Sequence, residues 1–187
     1  MALIVLGISD SHEAHACILK DGVLVAAMAE ERLSRLKSDT GYPRRAIDSV
    51  MEIAGVTADD IDVVAMAGLS GNMFKSIYKL NALFEVKHWV DQCHKIWKPV
   101  LIEGKPFSHF EDFDLWRDLP DDIENDAYYP LVDLLKNTPA DEWFQTGQDF
   151  RRKVICDHLG IATDKVKFFR HEDCHKAYGF YSSPFKR

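Results

Sequence analysis

Apolar residues arrive in short runs through the first third of the chain. Residues 2–9, ALIVLGIS, form a continuous apolar run that fits a central strand. EAHACILK and GVLVAAMAEE then follow on either side of Asp21-Gly22. Asp-Gly between two apolar runs is a strong hairpin signal, because both positions of the tight turn need positive φ. The opening therefore predicts three consecutive strands, the second and third antiparallel. Pro43 suits the first turn of a helix, and Ala46, Ile47, Val50, Met51, Ile53 and Ala54 then recur on one helical face until Gly55. IDVVAMAG, residues 61–68, predicts a fourth, buried strand.

From Gly68 to about Thr146 the pattern changes to aromatic-rich and acidic sequence, NMFKSIYKLNALFEVKHWVDQCHKIW and FEDFDLWRDLPDDIENDAYYP. This stretch, about residues 69–146, is expected to be a mostly helical insertion packed on the sheet, with Trp89, Trp97, Trp116 and Trp143 in its core. The earlier pattern resumes in QDFRRKVICDHLGI, a helix ending near Gly160, then DKVKFF as a fifth strand, then a last helix carrying HEDCHKAYGF. Three strands, a helix and another strand open the ribonuclease-H-like fold shared by actin, hexokinase and acetate kinase. The expected class is thus α/β, an actin/hexokinase (ASKHA) half-domain with a helical insertion.

Composition narrows the setting. At 187 residues, 47% apolar and 28% charged, the chain can bury a core without disulfides, as one main domain. Cys17, Cys93, Cys156 and Cys174 form no C-x-x-C pair, which suits reduced thiols and a cytoplasmic protein. No apolar stretch approaches the length of a membrane span, and the start has no basic lead or cleavage site. A net charge of -7 argues against nucleic acid as a partner, since phosphate contacts need clustered Lys and Arg.

Three stretches carry candidate chemistry. In HEDCHKAY, His171 and His175 are four apart, so a helix presents both imidazoles on one face, as a two-histidine metal site requires. On spacing alone, exposed imidazoles at a helix N-terminus, with Glu172 and Asp173 favouring its positive end, account for the pattern at least as well. In SDSHEAHA, His12 falls where the first strand turns into the second, next to Asp10 and ahead of His15; a self-capped turn of Ser9, Asp10, Ser11 and Glu13 is the plainer account. In AEERLSRLKSDTGYP, Glu30 and Glu31 leave a strand end, and Arg32, Arg35 and Lys37 are suited to phosphate or carboxylate groups, though such runs are usually solvated faces. GLSGN, residues 68–72, lacks the Lys and Ser/Thr of a P-loop, and His88, His94 and His109 sit among aromatic residues in the expected insertion.

Taken in order, these stretches resemble the N-terminal half of the carbamoyltransferases of the NodU/CmcH type. VLGISDSHEAHACILKDGVLVAAMAEERLSRLKSDTGYPRRAI is similar to that family's strand, His-Asp-x-Ser-type turn, Asp-Gly hairpin, Glu-Glu-Arg-Phe and Phe-Pro followed by a helix. RHEDCHKAYGFYSSPF is similar to its His-His-x-x-His-Ala-x-x-x-Phe-x-x-Ser-Pro-Phe segment. Departures are Glu13 and His15 for the family's Asp and Ser, Leu33 for an aromatic, Ser38 for a histidine, and Arg170 before His171.

The resemblance implies a Kae1-like domain on the actin/hexokinase fold, acting with a YrdC-like domain that makes carbamoyl-adenylate from carbamoyl phosphate and ATP. The carbamoyl group would pass to a hydroxyl of a small-molecule acceptor, such as an antibiotic or a sugar. It implies that His171 and His175 bind a divalent metal, commonly iron, and that His12 faces the carbamoyl group or the acceptor. Asp10, Glu31, Arg32, Arg35 and Lys37 would contact substrate or phosphate. The C-terminal half of the Kae1-like domain, with its Asp-Gly-x-Gly strand, and the YrdC-like domain are expected partners, and these 187 residues by themselves are expected to bind metal weakly and to be inactive. Two rivals remain: a kinase of the actin/hexokinase superfamily, whose phosphate turn the opening lacks, and a non-catalytic half-domain that binds a partner through an exposed aromatic patch.

Overall fold

The computed structural model describes residues 2–11, 13–69, 85–108 and 127–185. Five strands form one sheet: β1 (Ile4–Ser9), β2 (His15–Lys20), β3 (Val23–Ala29), β4 (Val63–Ala67) and β5 (Val166–Phe169), in the order β3-β2-β1-β4-β5. β2 runs antiparallel to both β1 and β3, whereas β4 and β5 run parallel to β1. The expected hairpin is present, with φ 50 at Asp21 and 79 at Gly22. Both values fit the tight turn that Asp-Gly specifies.

Helices α1 (Glu30–Ser34) and α2 (Arg44–Ala54) join β3 to β4. Helix α3 (Val86–Gln92) runs through a widened turn at Cys93–Trp97 into α4 (Lys98–Leu101). Then come α5 (Pro130–Lys136), α6 (Trp143–Leu159) and, after β5, α7 (His171–Tyr181). Gly160 closes α6 with φ 68, as expected from its sequence position.

One face of the sheet carries the core. Leu6, Ile8, Ala16, Ile18, Val64, Met66 and Val166 point there and meet Ala46, Ile47 and Val50 of α2, Leu131, Val132 and Leu135 of α5, and Ile155 of α6. The alternation in β4 shows it: Val64 and Met66 are buried, and the residues between them are only half-buried. IDVVAMAG is therefore a strand buried on one side, and its other side faces a groove.

Several expectations change. Ile53 is 59% exposed, because at about 100° per residue it falls at the edge of the α2 stripe rather than its centre. Helix α6 starts at Trp143, ahead of the expected Gln148. Residues 127–136, within the expected insertion, contribute Tyr128, Leu131, Val132 and Leu135 to the main core. Trp89 and Trp97 are 43% and 36% exposed rather than core, and Trp97 stacks on Phe107 at 5.4 Å. Trp143 does pack against the core, whereas Trp116 and His109 lie outside the described residues.

Gly7 is set by a close approach. A Cβ there would lie 2.7 Å from Cys17 Sγ on the neighbouring strand, so no larger residue fits without movement.

Candidate functional site

The parallel strands β1, β4 and β5 all end on the same side of the sheet, and the three segments that leave them carry candidate chemistry. In open α/β sheets ligands bind beyond the carboxyl ends of the strands. A groove of about 160 Å³ lies here, lined by Ser9, His15, Cys17, Ala67, Phe169 and Cys174. Residues from β1, β2, β4, β5 and α7 thus meet in one place. Burial pushes the Cys17 thiol above its ordinary range, so it stays protonated.

Helix α7 begins one residue after β5, with Arg170 in extended conformation ahead of it and Glu172 and Asp173 in its first turn. Its four-residue spacing brings His175 Nε2 to 2.9 Å from His171 Nε2, with the rings edge to face at 4.4 Å between centroids. Two imidazoles bound at right angles to one ion, with metal–nitrogen bonds of about 2.0–2.1 Å, would hold their nitrogens about 2.9 Å apart. Both side chains are exposed, and the donor set is of a type suited to Fe, Zn, Ni or Cu. Among the described residues no third His, Cys, Asp or Glu joins them to make a complete ligand group.

His12 lies outside the described residues. Its neighbour Glu13 adopts φ 57, a left-handed conformation uncommon for a side-chain-bearing residue, and the carbonyl of Glu13 meets His15 Nδ1 at 2.6 Å.

Asp10 is turned inward. It is 2% exposed, and Arg151 grips it twice, Nε donating to Oδ2 at 2.6 Å and Nη2 to Oδ1 at 2.8 Å. Tyr128 Oη donates to the same Oδ2 at 2.6 Å. Burial, then the Asp10 charge, push the Tyr128 phenol well above its ordinary range and keep it a donor. Arg151 and Tyr128 went unnoticed in the sequence, because one Arg of the pair in FRRKV and one Tyr of the pair in YYP carry no pattern that tells a buried side chain from an exposed one.

Glu31, Arg32, Arg35 and Lys37 lie on α1 and the loop after it. Glu31 Oε2 accepts the Ser38 amide at 2.8 Å, while Arg32, Arg35 and Lys37 are exposed, and none of the four lines the groove. Arg35 and Ser38 adopt φ 64 and 55, so this loop is tightly coiled. Glu30 is 6% exposed, and its carboxylate accepts the Ala46 amide at 2.8 Å and the Arg45 amide at 3.3 Å. It thereby caps the first turn of α2, where Pro43 offers no side-chain acceptor. Of the other candidates, His88 Nδ1 accepts the Glu85 amide at 2.9 Å and closes the start of α3. GLSGN is described only through Leu69.

Residues 4–187 match the carbamoyltransferase N-terminus family. The chain belongs to that family. The nodulation protein NolNO of Sinorhizobium fredii is 44% identical over 54 residues, 29% of this chain and 8% of that protein. Uncharacterized proteins of Synechocystis and Methanocaldococcus jannaschii are 39% identical over 61 residues and 34% over 65, covering 32% and 35% of this chain. The matched stretches span 8%, 10% and 12% of these relatives' own lengths. This carbamoyltransferase N-terminal region contains, among its described residues, no helix long and apolar enough to cross a membrane.

Proposed function

We propose that the full-length protein carrying this chain transfers a carbamoyl group from carbamoyl phosphate, by way of carbamoyl-adenylate, to a hydroxyl of a small-molecule acceptor. The observation that carries this reading is the His171–His175 pair, nitrogens 2.9 Å apart on the helix that leaves β5, within a chain of the carbamoyltransferase family. The strand order β3-β2-β1-β4-β5, with β2 alone running opposite to the other four strands, supports the actin/hexokinase (ASKHA), Kae1-like class. A C-terminal half of that domain and a YrdC-like domain, the latter using ATP, would complete the enzyme.

In the transfer the acceptor oxygen bonds to the carbamoyl carbon, the bond from that carbon to the adenylate phosphate breaks, and AMP departs with the electron pair. His12 takes the hydroxyl proton or orients the carbonyl, as an imidazole within hydrogen-bond reach of either can. His15 and Ser9, on the groove wall, are placed to hold polar groups of a ligand lying against Ala67 and Phe169. A divalent ion, commonly iron in this family, would be held by His171 and His175 together with a ligand from outside the described residues, and would supply a Lewis acid. Asp10, held by Arg151, and Glu31 with the exposed cations Arg32, Arg35 and Lys37 are the groups we assign to substrate or phosphate contacts.

Calorimetric titration of the full-length protein with Fe(II) or Zn(II) tests the pair. Wild type is expected to bind one ion and His175→Ala to lose roughly ten- to a hundredfold in affinity or more, since a direct ligand matters at least as much as its supporting groups. Equal binding by both would reject this metal site.

The exposure of Trp89 and Trp97 favours a second reading, a non-catalytic half-domain that binds a protein partner. Transfer of labelled carbamoyl from carbamoyl phosphate to an added monosaccharide, dependent on ATP and lost in His12→Ala, would exclude it.

A further inference from the structure

We propose that Arg151 is a positioning residue for the carbamoyl-transfer site, fixing all three strand exits that surround it. Its side chain is 1% exposed, and Nε, Nη1 and Nη2 all donate hydrogen bonds. Nε and Nη2 hold the Asp10 carboxylate just beyond the end of β1. Nη1 donates to the carbonyls of Gly68 and Leu69, both at 3.2 Å, where the chain leaves β4. Its Cζ lies over the Phe168 ring of β5 at 5.0 Å from the centroid, two residues before Arg170, which leads into α7. A single side chain from α6 therefore ties together the exits toward His12, toward GLSGN and toward His171.

The chemistry suits arginine and no other cation. Its five donors lie in one rigid plane, so a bidentate carboxylate contact, two carbonyl contacts and an aromatic contact can be made at once. A lysine ammonium could neutralise Asp10 but would offer neither the fork nor the flat face. Tyr128 adds a third donor to Asp10, so the carboxylate is held in one orientation rather than merely neutralised. Near-attack geometry is sensitive at this scale: a displacement of about 1 Å costs on the order of a hundredfold in rate.

This inference rests on the carbamoyl-transfer reading for its kinetic part, and its structural part stands separately. Arg151→Lys and Tyr128→Phe are compared with wild type in the full-length protein, Tyr128→Phe being the milder change should Arg151→Lys fold poorly. Amide hydrogen exchange should quicken by about tenfold or more at residues 9–11 and 68–69 while Leu6 and Val64 keep their protection, as local opening allows. With labelled carbamoyl phosphate, ATP and water as the acceptor, kcat should fall about ten- to a hundredfold in Arg151→Lys with KM for carbamoyl phosphate within about twofold. Exchange that is unchanged at the exits, or that quickens equally through the core, overturns the proposal, as does a kcat within twofold of wild type. A wild type that transfers nothing either to water or to added hydroxyl acceptors such as monosaccharides would instead sink the functional reading, while the exchange pattern would still decide the role of Arg151.

Discussion

His158, on α6, sits with 7% of its side chain exposed between two partners from the α2 region. Its Nε2 meets Asp48 Oδ1 at 3.0 Å and its Nδ1 meets Tyr42 Oη at 2.8 Å. A carboxylate can only accept, so Nε2 carries the proton and Nδ1 accepts from Tyr42, whose hydroxyl burial holds far above its ordinary range. The imidazole is thus neutral and used at both nitrogens. Burial, then the charge of Arg44, lower its pKa from the ordinary 6.5, and Asp48 only partly offsets them. The unfolded chain therefore binds a proton at a higher pH than the folded one. Stability should be full above about pH 6.5 and should fall as the pH drops below it. Thermal unfolding measured from pH 8 to 5 should show this loss in wild type and a flatter profile in His158→Gln; parallel profiles would refute the assignment.

At the scale of elements, α2 gets its start from another helix. Pro43 supplies no side-chain cap, and the buried Glu30 at the head of α1 takes the Arg45 and Ala46 amides instead. Glu30→Ala should cost about 1–3 kcal/mol in urea unfolding, because it leaves these donors unpaired in a buried setting. An effect below about 0.5 kcal/mol, the range of ordinary surface changes, would mean that the cap is not formed. The pairing of β1 with β2 depends on Gly7 in a comparable way. Gly7→Ala should lose about 1–3 kcal/mol through overpacking on Cys17, and Cys17→Ala in the same chain should restore much of it. Additive losses in the double variant would place the fault in the backbone rather than in the contact.

At the scale of the whole molecule, the sheet was legible because its signals are local. Asp21-Gly22, the short apolar runs of β1 to β4 and the stop at Gly160 each act within a few residues, and the strands and the end of α6 appear where those signals lie. The His171–His175 pair was legible for the same reason, since four residues of helix suffice to bring two rings together. What escaped notice depends on distance along the chain: that Asp10 would turn inward, that Tyr128 and α5 would join the core, and that Glu30 rather than a nearer residue would cap α2. A buried carboxylate and an exposed one share a one-letter code, and only the arrival of a remote partner tells them apart. The Arg151–Asp10 contact closes a loop of 141 residues. Contacts of such separation come late in folding, because the chain entropy of closing the loop is paid before the contact forms. On the ribosome, the β2–β3 hairpin can therefore form soon after it emerges, whereas the rim of the sheet where carbamoyl chemistry is proposed remains unfastened until α6 has been synthesised. Pausing or truncation before that point would leave nascent chains with an ordered hairpin and an open, misfolding-prone edge.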